Sequence, residues 1–144
     1  MIEYNFEENV NYWVGLTAHA FKAALNRELA DTGVTMRQVE VLACLALEGE
    51  LAQVDIAEML HVDPSTLVRV LDRMERDGWV VRHESPVDRR KKVIRATEKV
   101  SDTWARIVEC GQRIQHRATR GLSDSRIQQL KDTLATIRHN LGEE

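Results

Sequence analysis

Apolar residues recur every three or four positions from about Glu7 to Asp31, placing Val10, Trp13, Val14, Thr17, Phe21, Leu25 and Leu29 on one stripe without an intervening proline. This spacing predicts a long first helix with one inward face, ended by Gly33. Thr35 and Gln38 stand three apart ahead of "VEVLACLAL", a capping-box arrangement that predicts a second, mostly buried helix stopping near Gly49. After a short segment around Leu51, "QVDIAEML" predicts two helical turns with Ile56, Met59 and Leu60 inward and a turn at His61 and Val62.

The next helix carries the strongest local signals. Asp63 is placed to cap it, Pro64 suits its first position, Leu67, Val70, Leu71 and Met74 form its inner face, and Gly78 ends it. The period then changes from helix to strand. "WVVRH" and "KVIRA" predict a hairpin with a long, charged tip. Thr97 is placed to cap a long helix with Val100, Trp104, Ile107, Val108, Gly111 and Ile114 on one face, running to about Gly121. Ser123 is placed to cap a last helix whose Ile127, Leu130, Leu134, Ile137 and Leu141 repeat at intervals of three and four.

At 144 residues the chain suits a single domain, 1–144, and 43% hydrophobic with 30% charged residues is a globular balance. No apolar run reaches membrane-span length and the start lacks a signal-peptide pattern, so no membrane partner and a cytoplasmic location are expected. Charge sharpens the picture. The total is -3, yet Arg69 to Arg95 holds nine Lys/Arg against five Asp/Glu, a local +4, which leaves -7 elsewhere. A protein built this way meets a polyanion with one face, and nucleic acid is the first to consider.

Two short helices joined by "HVD", the second fronted by "DPSTLVR", make a helix-turn-helix whose second helix is the reader. Pro64, Ser65, Thr66 and Arg69 project from its front, where hydroxyls and the helix N-terminus suit phosphate and Arg69 suits guanine in the major groove. Arg89, Arg90, Lys91 and Lys92 tip the hairpin behind it, an arrangement suited to the minor groove, and Asp88 is placed to brace an arginine.

The block Gly49–Thr97 resembles the multiple-antibiotic-resistance regulator (MarR) family of winged-helix repressors. The resemblance rests on Ile56 and Ala57, on Met74, Gly78, Trp79, Val80 and Arg82, on Asp88 and Arg90, and on Thr97; Ala52, Ala96 and Val100 depart from the usual pattern. It implies a mainly α fold with a small β-hairpin wing: a winged helix-turn-helix at about 35–97 and long dimerisation helices at about 7–31 and 97–141. It further implies a homodimer straddling pseudo-palindromic double-stranded DNA, with Ser65, Thr66 and Arg69 on bases and phosphates, Arg90 in the minor groove, and Asp88 holding the wing against Arg73. The stripe Ile127, Leu130, Leu134, Ile137 and Leu141 independently asks for a partner to cover it.

Members of the family commonly release DNA on binding a small aromatic or phenolic ligand, which makes Trp13, His19, Met36 and Trp104 candidate pocket residues, although each also suits ordinary core packing. Cys44 and Cys110 read as buried thiols; Cys110, with Arg106 and Arg113 a turn away, is the better redox candidate. The five histidines show no ligand spacing, and no phosphate loop, nucleophile elbow or HExxH occurs, so neither metal, cofactor nor enzymatic activity is expected. The readings left beside a DNA-binding repressor are a winged-helix protein-interaction module and a cysteine-based redox regulator.

Overall fold

The structure is a computed structural model and describes residues 4–142. The chain forms α1 (Val10–Leu29), α2 (Met36–Glu48), β1 (Leu51–Ala52), α3 (Gln53–Met59), α4 (Pro64–Arg76), β2 (Val80–Glu84), β3 (Lys92–Ala96), α5 (Ser101–Ala118) and α6 (Asp124–Asn140). It is mainly helical with a small antiparallel sheet, as expected, and it divides into two compact units, Met1–Gly111 and Gln112–Glu144, at a point inside α5. Among the described residues no helix is long and apolar enough to cross a membrane.

Within the first unit, α2, α3 and α4 surround the core with the sheet closing one side. Ile56, Leu67, Leu71, Met74, Val41, Val80 and Ile94 are fully buried there, and each large apolar side chain withdrawn from water contributes about 1.5–3 kcal/mol. The capping box at Thr35 is present in both directions: the Thr35 hydroxyl accepts from the Gln38 N–H at 3.3 Å, and the Gln38 side chain accepts from the Thr35 N–H at 2.9 Å. That reciprocal pairing also explains why Gln38 is a buried polar residue at no cost to the fold.

The turn between α3 and α4 is made as expected by His61 and Val62, with His61 in the left-handed region at φ 49. The inner face of α3 is Ile56 with Ala57, continued by half-buried Leu60, while Met59 is exposed, which corrects the sequence expectation; a helix this short has one inward line, and Met59 lies off it. Asp63 occupies the N-cap position of α4 but its side chain caps nothing. Its carbonyl instead accepts from the Thr66 and Leu67 N–H groups at 3.0 and 3.1 Å, and Pro64 at the first position removes one donor that would need a cap.

Gly78 ends α4 at φ +75, a left-handed conformation that favours glycine, with the Lys99 side chain lying 3.1 Å from where a Cβ would stand. The sheet has three strands, in the order β1–β3–β2. The two residues Leu51 and Ala52 pair with Ile94 and Val93, so the expected two-stranded hairpin is flanked on its β3 side by a third, very short strand.

Two expectations at helix starts change. Asn9 accepts from the Asn11 N–H at 2.9 Å and starts α1 at Val10, after a 3-10 turn over Phe6–Glu8, rather than at Glu7. Thr97 does not cap α5; its hydroxyl donates to the Gly78 carbonyl at 2.6 Å, its N–H bonds the Trp79 carbonyl at 2.9 Å, and a 3-10 turn over Glu98–Val100 leads into the helix. Of the α1 stripe, Leu29 is buried and Leu25 partly so, whereas Val10, Trp13, Val14 and Phe21 are exposed. Ser123 caps α6 as expected, accepting from the Arg126 N–H at 3.3 Å, and α6 buries none of its residues.

Candidate nucleic-acid interface

The amphipathic pattern of α4 dictates which residues it offers. Leu67, Leu71 and Met74 lock one face into the core, so Pro64, Ser65, Thr66, Arg69 and Arg73 are left exposed on the other. Those five include two hydroxyls at a helix start and two long cations, a set that fits phosphate oxygens and base edges. Val68, on the edge of the same face, adds a partly exposed apolar group.

The wing is tied to this helix by Arg82 of β2. Its guanidinium donates to Asp72 at 2.6 Å, to Glu75 at 2.9 Å and to the Val68 carbonyl at 3.2 Å, while Glu75 also accepts the Arg82 backbone N–H at 3.3 Å. Sequence reasoning quoted Arg82 only as part of a motif. The separations of ten and seven residues to its acidic partners gave no local signal of the contact.

The tip of the wing is a closed loop. The Ser85 N–H donates to the Lys91 carbonyl at 3.0 Å, the Lys91 N–H to the Asp88 carbonyl at 2.9 Å, and the Ser85 hydroxyl accepts from the Val87 and Asp88 N–H groups at 3.3 Å each. Asp88 does brace an arginine, but the arginine is Arg90. The Arg90 backbone N–H and Nε reach the carboxylate at 3.0 and 3.2 Å, and these bonds hold the Asp88 carboxyl below its ordinary range.

The implied pairing of Asp88 with Arg73 is absent among the described ion pairs, because the carboxylate is already engaged two residues along its own loop. The Arg90 side chain is nevertheless 91% exposed. Arg89 and Lys91 are exposed beside it, while Lys92 reaches Glu84 across the hairpin at 3.4 Å. A cleft of about 200 Å³ runs between these cations and the start of α3, lined by Arg90, Lys91 and Lys92 with Ala52, Gln53 and Val54.

Of the candidate ligand-pocket residues, the structure brings Trp104 to a cavity of about 230 Å³, whose walls include Leu42, Leu45, Val100, Thr97 and Ser101. Trp13, His19 and Met36 do not line it. Trp13 is exposed with its indole N–H donating to the Glu7 carbonyl at 2.8 Å, His19 is exposed, and Met36 packs on the core. Both cysteines are buried, and burial, reinforced by Glu40 and Glu48, pushes the Cys44 thiol up. No group of three potential metal ligands comes together among the described residues.

In the second unit and the α6 stripe, Leu130, Leu134 and Leu141 are exposed and Ile127 and Ile137 half-buried. Among the described residues, α6 has none that is fully buried.

A family model described as MarR family matches residues 34–92, the stretch that carries the helix-turn-helix and the wing. The chain is 27% identical over 139 residues to the HTH-type transcriptional repressor IacR of Pseudomonas putida, covering 96% of this chain and 83% of that protein. Among solved structures, a MarR-family transcriptional regulator from Rhodococcus sp. RHA1 matches with a TM-score of 0.81 at 27% identity, covering 94% of this chain and 96% of that one. CouR from Rhodococcus jostii RHA1, solved with p-coumaroyl-CoA bound, matches with a TM-score of 0.77 at 28% identity over 94% of this chain and 95% of its own. With the exposed polar front of α4, a cationic wing and these likenesses, residues 34–92 carry the MarR-family pattern, and the chain as a whole resembles that family's winged-helix transcriptional regulators.

Proposed function

We propose that this regulator is a homodimeric repressor of a nearby operon, released from its pseudo-palindromic operator by a small aromatic or phenolic ligand. The observation that carries the reading is the joining, in one unit, of the exposed polar front of α4 to a closed cationic tip. Ser65 and Thr66 bind phosphate at the helix start, Arg69 takes guanine acceptors in the major groove, and Arg73 meets the backbone. Arg90 enters the minor groove with Asp88 holding its orientation, and Arg89, Lys91 and Lys92 follow the flanking phosphates.

Two copies are needed for two half-sites, and the seam of exposed Leu130, Leu134 and Leu141 with half-buried Ile127 and Ile137 supplies an apolar face for joining them. The ligand reading is supported by the cavity at Trp104, where an indole and aliphatic walls suit a planar ring and the Ser101 hydroxyl suits a phenol. It is supported also by CouR, which holds an aromatic acyl thioester.

The test is binding of the purified protein to its own upstream DNA and to unrelated DNA of equal length across a salt series. Tight, salt-tolerant binding to the upstream fragment alone is expected, with the affinity for unrelated DNA falling as phosphate contacts release counterions. Arg69→Ala and Arg90→Ala should each cost about 1–3 kcal/mol of operator affinity while leaving the dimer intact. Equal binding to both fragments would defeat the reading, and loss of operator binding with a panel of phenolic acids would identify the ligand class.

A further inference from the structure

Arg82 is placed where no surface arginine needs to be. It lies on the same side of β2 as the buried Val80, two residues along, so strand alternation aims it at α4 rather than at solvent. Its three acceptors on that helix, the Val68 carbonyl, Asp72 and Glu75, lie one and two turns apart along a single line of α4. The guanidinium therefore lies along the helix like a clasp. Its Nε is buried without an acceptor, a desolvated donor that the other contacts keep in place.

Two consequences follow for DNA binding, and both rest on the function proposed above. β2 is an edge strand, and the bond from its Arg82 N–H to Glu75 together with the guanidinium clasp fixes the wing stem to the reading helix. Asp72, moreover, stands three residues after Arg69 on α4, a spacing at which a carboxylate captures an arginine on the same helix. With Arg82 absent, Asp72 is free to take the side chain that must reach a base.

We infer that Arg82 is a positioning residue: by engaging Asp72 and Glu75 it sets the wing against α4 and keeps Arg69 available for DNA. The experiment compares wild type, Arg82→Gln, and Arg82→Gln combined with Asp72→Asn. In the absence of DNA, amide exchange in Arg82→Gln should rise in the hairpin at 80–96 and stay unchanged in α2.

On the operator, hydroxyl-radical footprinting of Arg82→Gln should lose the minor-groove protection beside each half-site, and its affinity should fall by about tenfold or more. Adding Asp72→Asn should restore interference at guanine N7 without restoring the minor-groove protection. Wild-type exchange in the hairpin, or an even weakening of the whole footprint with a lowered melting transition, would overturn the inference. If the wild type itself protects no DNA, the proposed function has failed, and hairpin exchange alone then decides whether Arg82 sets the wing.

Discussion

Helices α4 and α6 are written in the same alphabet, with apolar residues every three or four positions among charged ones, yet the structure uses them in opposite ways. In α4 the apolar line, Leu67, Leu71 and Met74, is 0% exposed, and the polar line is what the molecule presents. In α6 the apolar line itself is presented, with Leu130 at 52% and Leu141 at 77% exposure. The periodicity of a helix thus says that one face differs from the other, and only the availability of cover says which face does the work. α4 has α2, α3 and the sheet around it; α6 has no buried residue at all.

The sharpest way to test this contrast is to truncate one residue from each line. Leu71→Ala should remove about 2–5 kcal/mol of stability, read from denaturant unfolding, because a fully enclosed side chain leaves a cavity. Leu134→Asp should leave the midpoint of that transition for the winged-helix unit nearly unchanged, yet convert a dimer to a monomer in light scattering coupled to size exclusion. Should Leu134→Asp instead unfold the chain at low concentration with the dimer retained, the two lines would be alike after all.

A smaller effect distinguishes the tip of the wing from its stem. The Asp88 carboxyl is held below its ordinary range, so its contribution to the loop is complete above the unfolded carboxylate pKa of about 3.9 and is lost as pH falls through the lower folded value. The protection of the Arg90 amide, its exchange relative to the intrinsic rate at each pH, should therefore be constant near neutral pH, fall in acid below about pH 4, and be low at every pH in Asp88→Ala. The stem at Arg82 should not follow that profile.

The least expected change concerns the thiols. Cys44 and Cys110 are buried, and Cys44 is pushed away from thiolate formation, so neither should react with a maleimide or with peroxide at neutral pH until the chain is unfolded. Rapid labelling of either in the folded protein, followed by loss of operator binding, would favour a redox regulator.

Much of this architecture is legible in the sequence because its signals are local. The Thr35–Gln38 box, Pro64 at the first turn of α4, Gly78 at its end and the change of period at Trp79 each involve residues within a few positions, and each stands where expected. Several of the failures are contacts at a distance. Leu51 and Ala52 are a strand only because Ile94 and Val93 lie beside them, and Thr97 gives up its capping role to a carbonyl nineteen residues earlier.

The candidate interface divides along the same line. Exposure of Ser65, Thr66, Arg69 and Arg90 followed from periodicity and from a charged turn, whereas the partner of Asp88 and the task of Arg82 depended on geometry that the sequence leaves open. Trp104 reached a cavity while Trp13 did not, although both sit on apolar helix stripes, because only Trp104 faces the space between α2 and the end of β3.

The loop from Ser85 to Lys91 is closed by its own hydrogen bonds, and the stem beneath it is held from both sides, by β1 along β3 and by Arg82 along β2. Such a tip behaves as an interchangeable part. Descendants of this chain can lengthen it, recharge it or swap its arginines and still inherit a properly seated α4, so that under the function proposed above the contact with DNA is free to drift while selection on the fold stays silent.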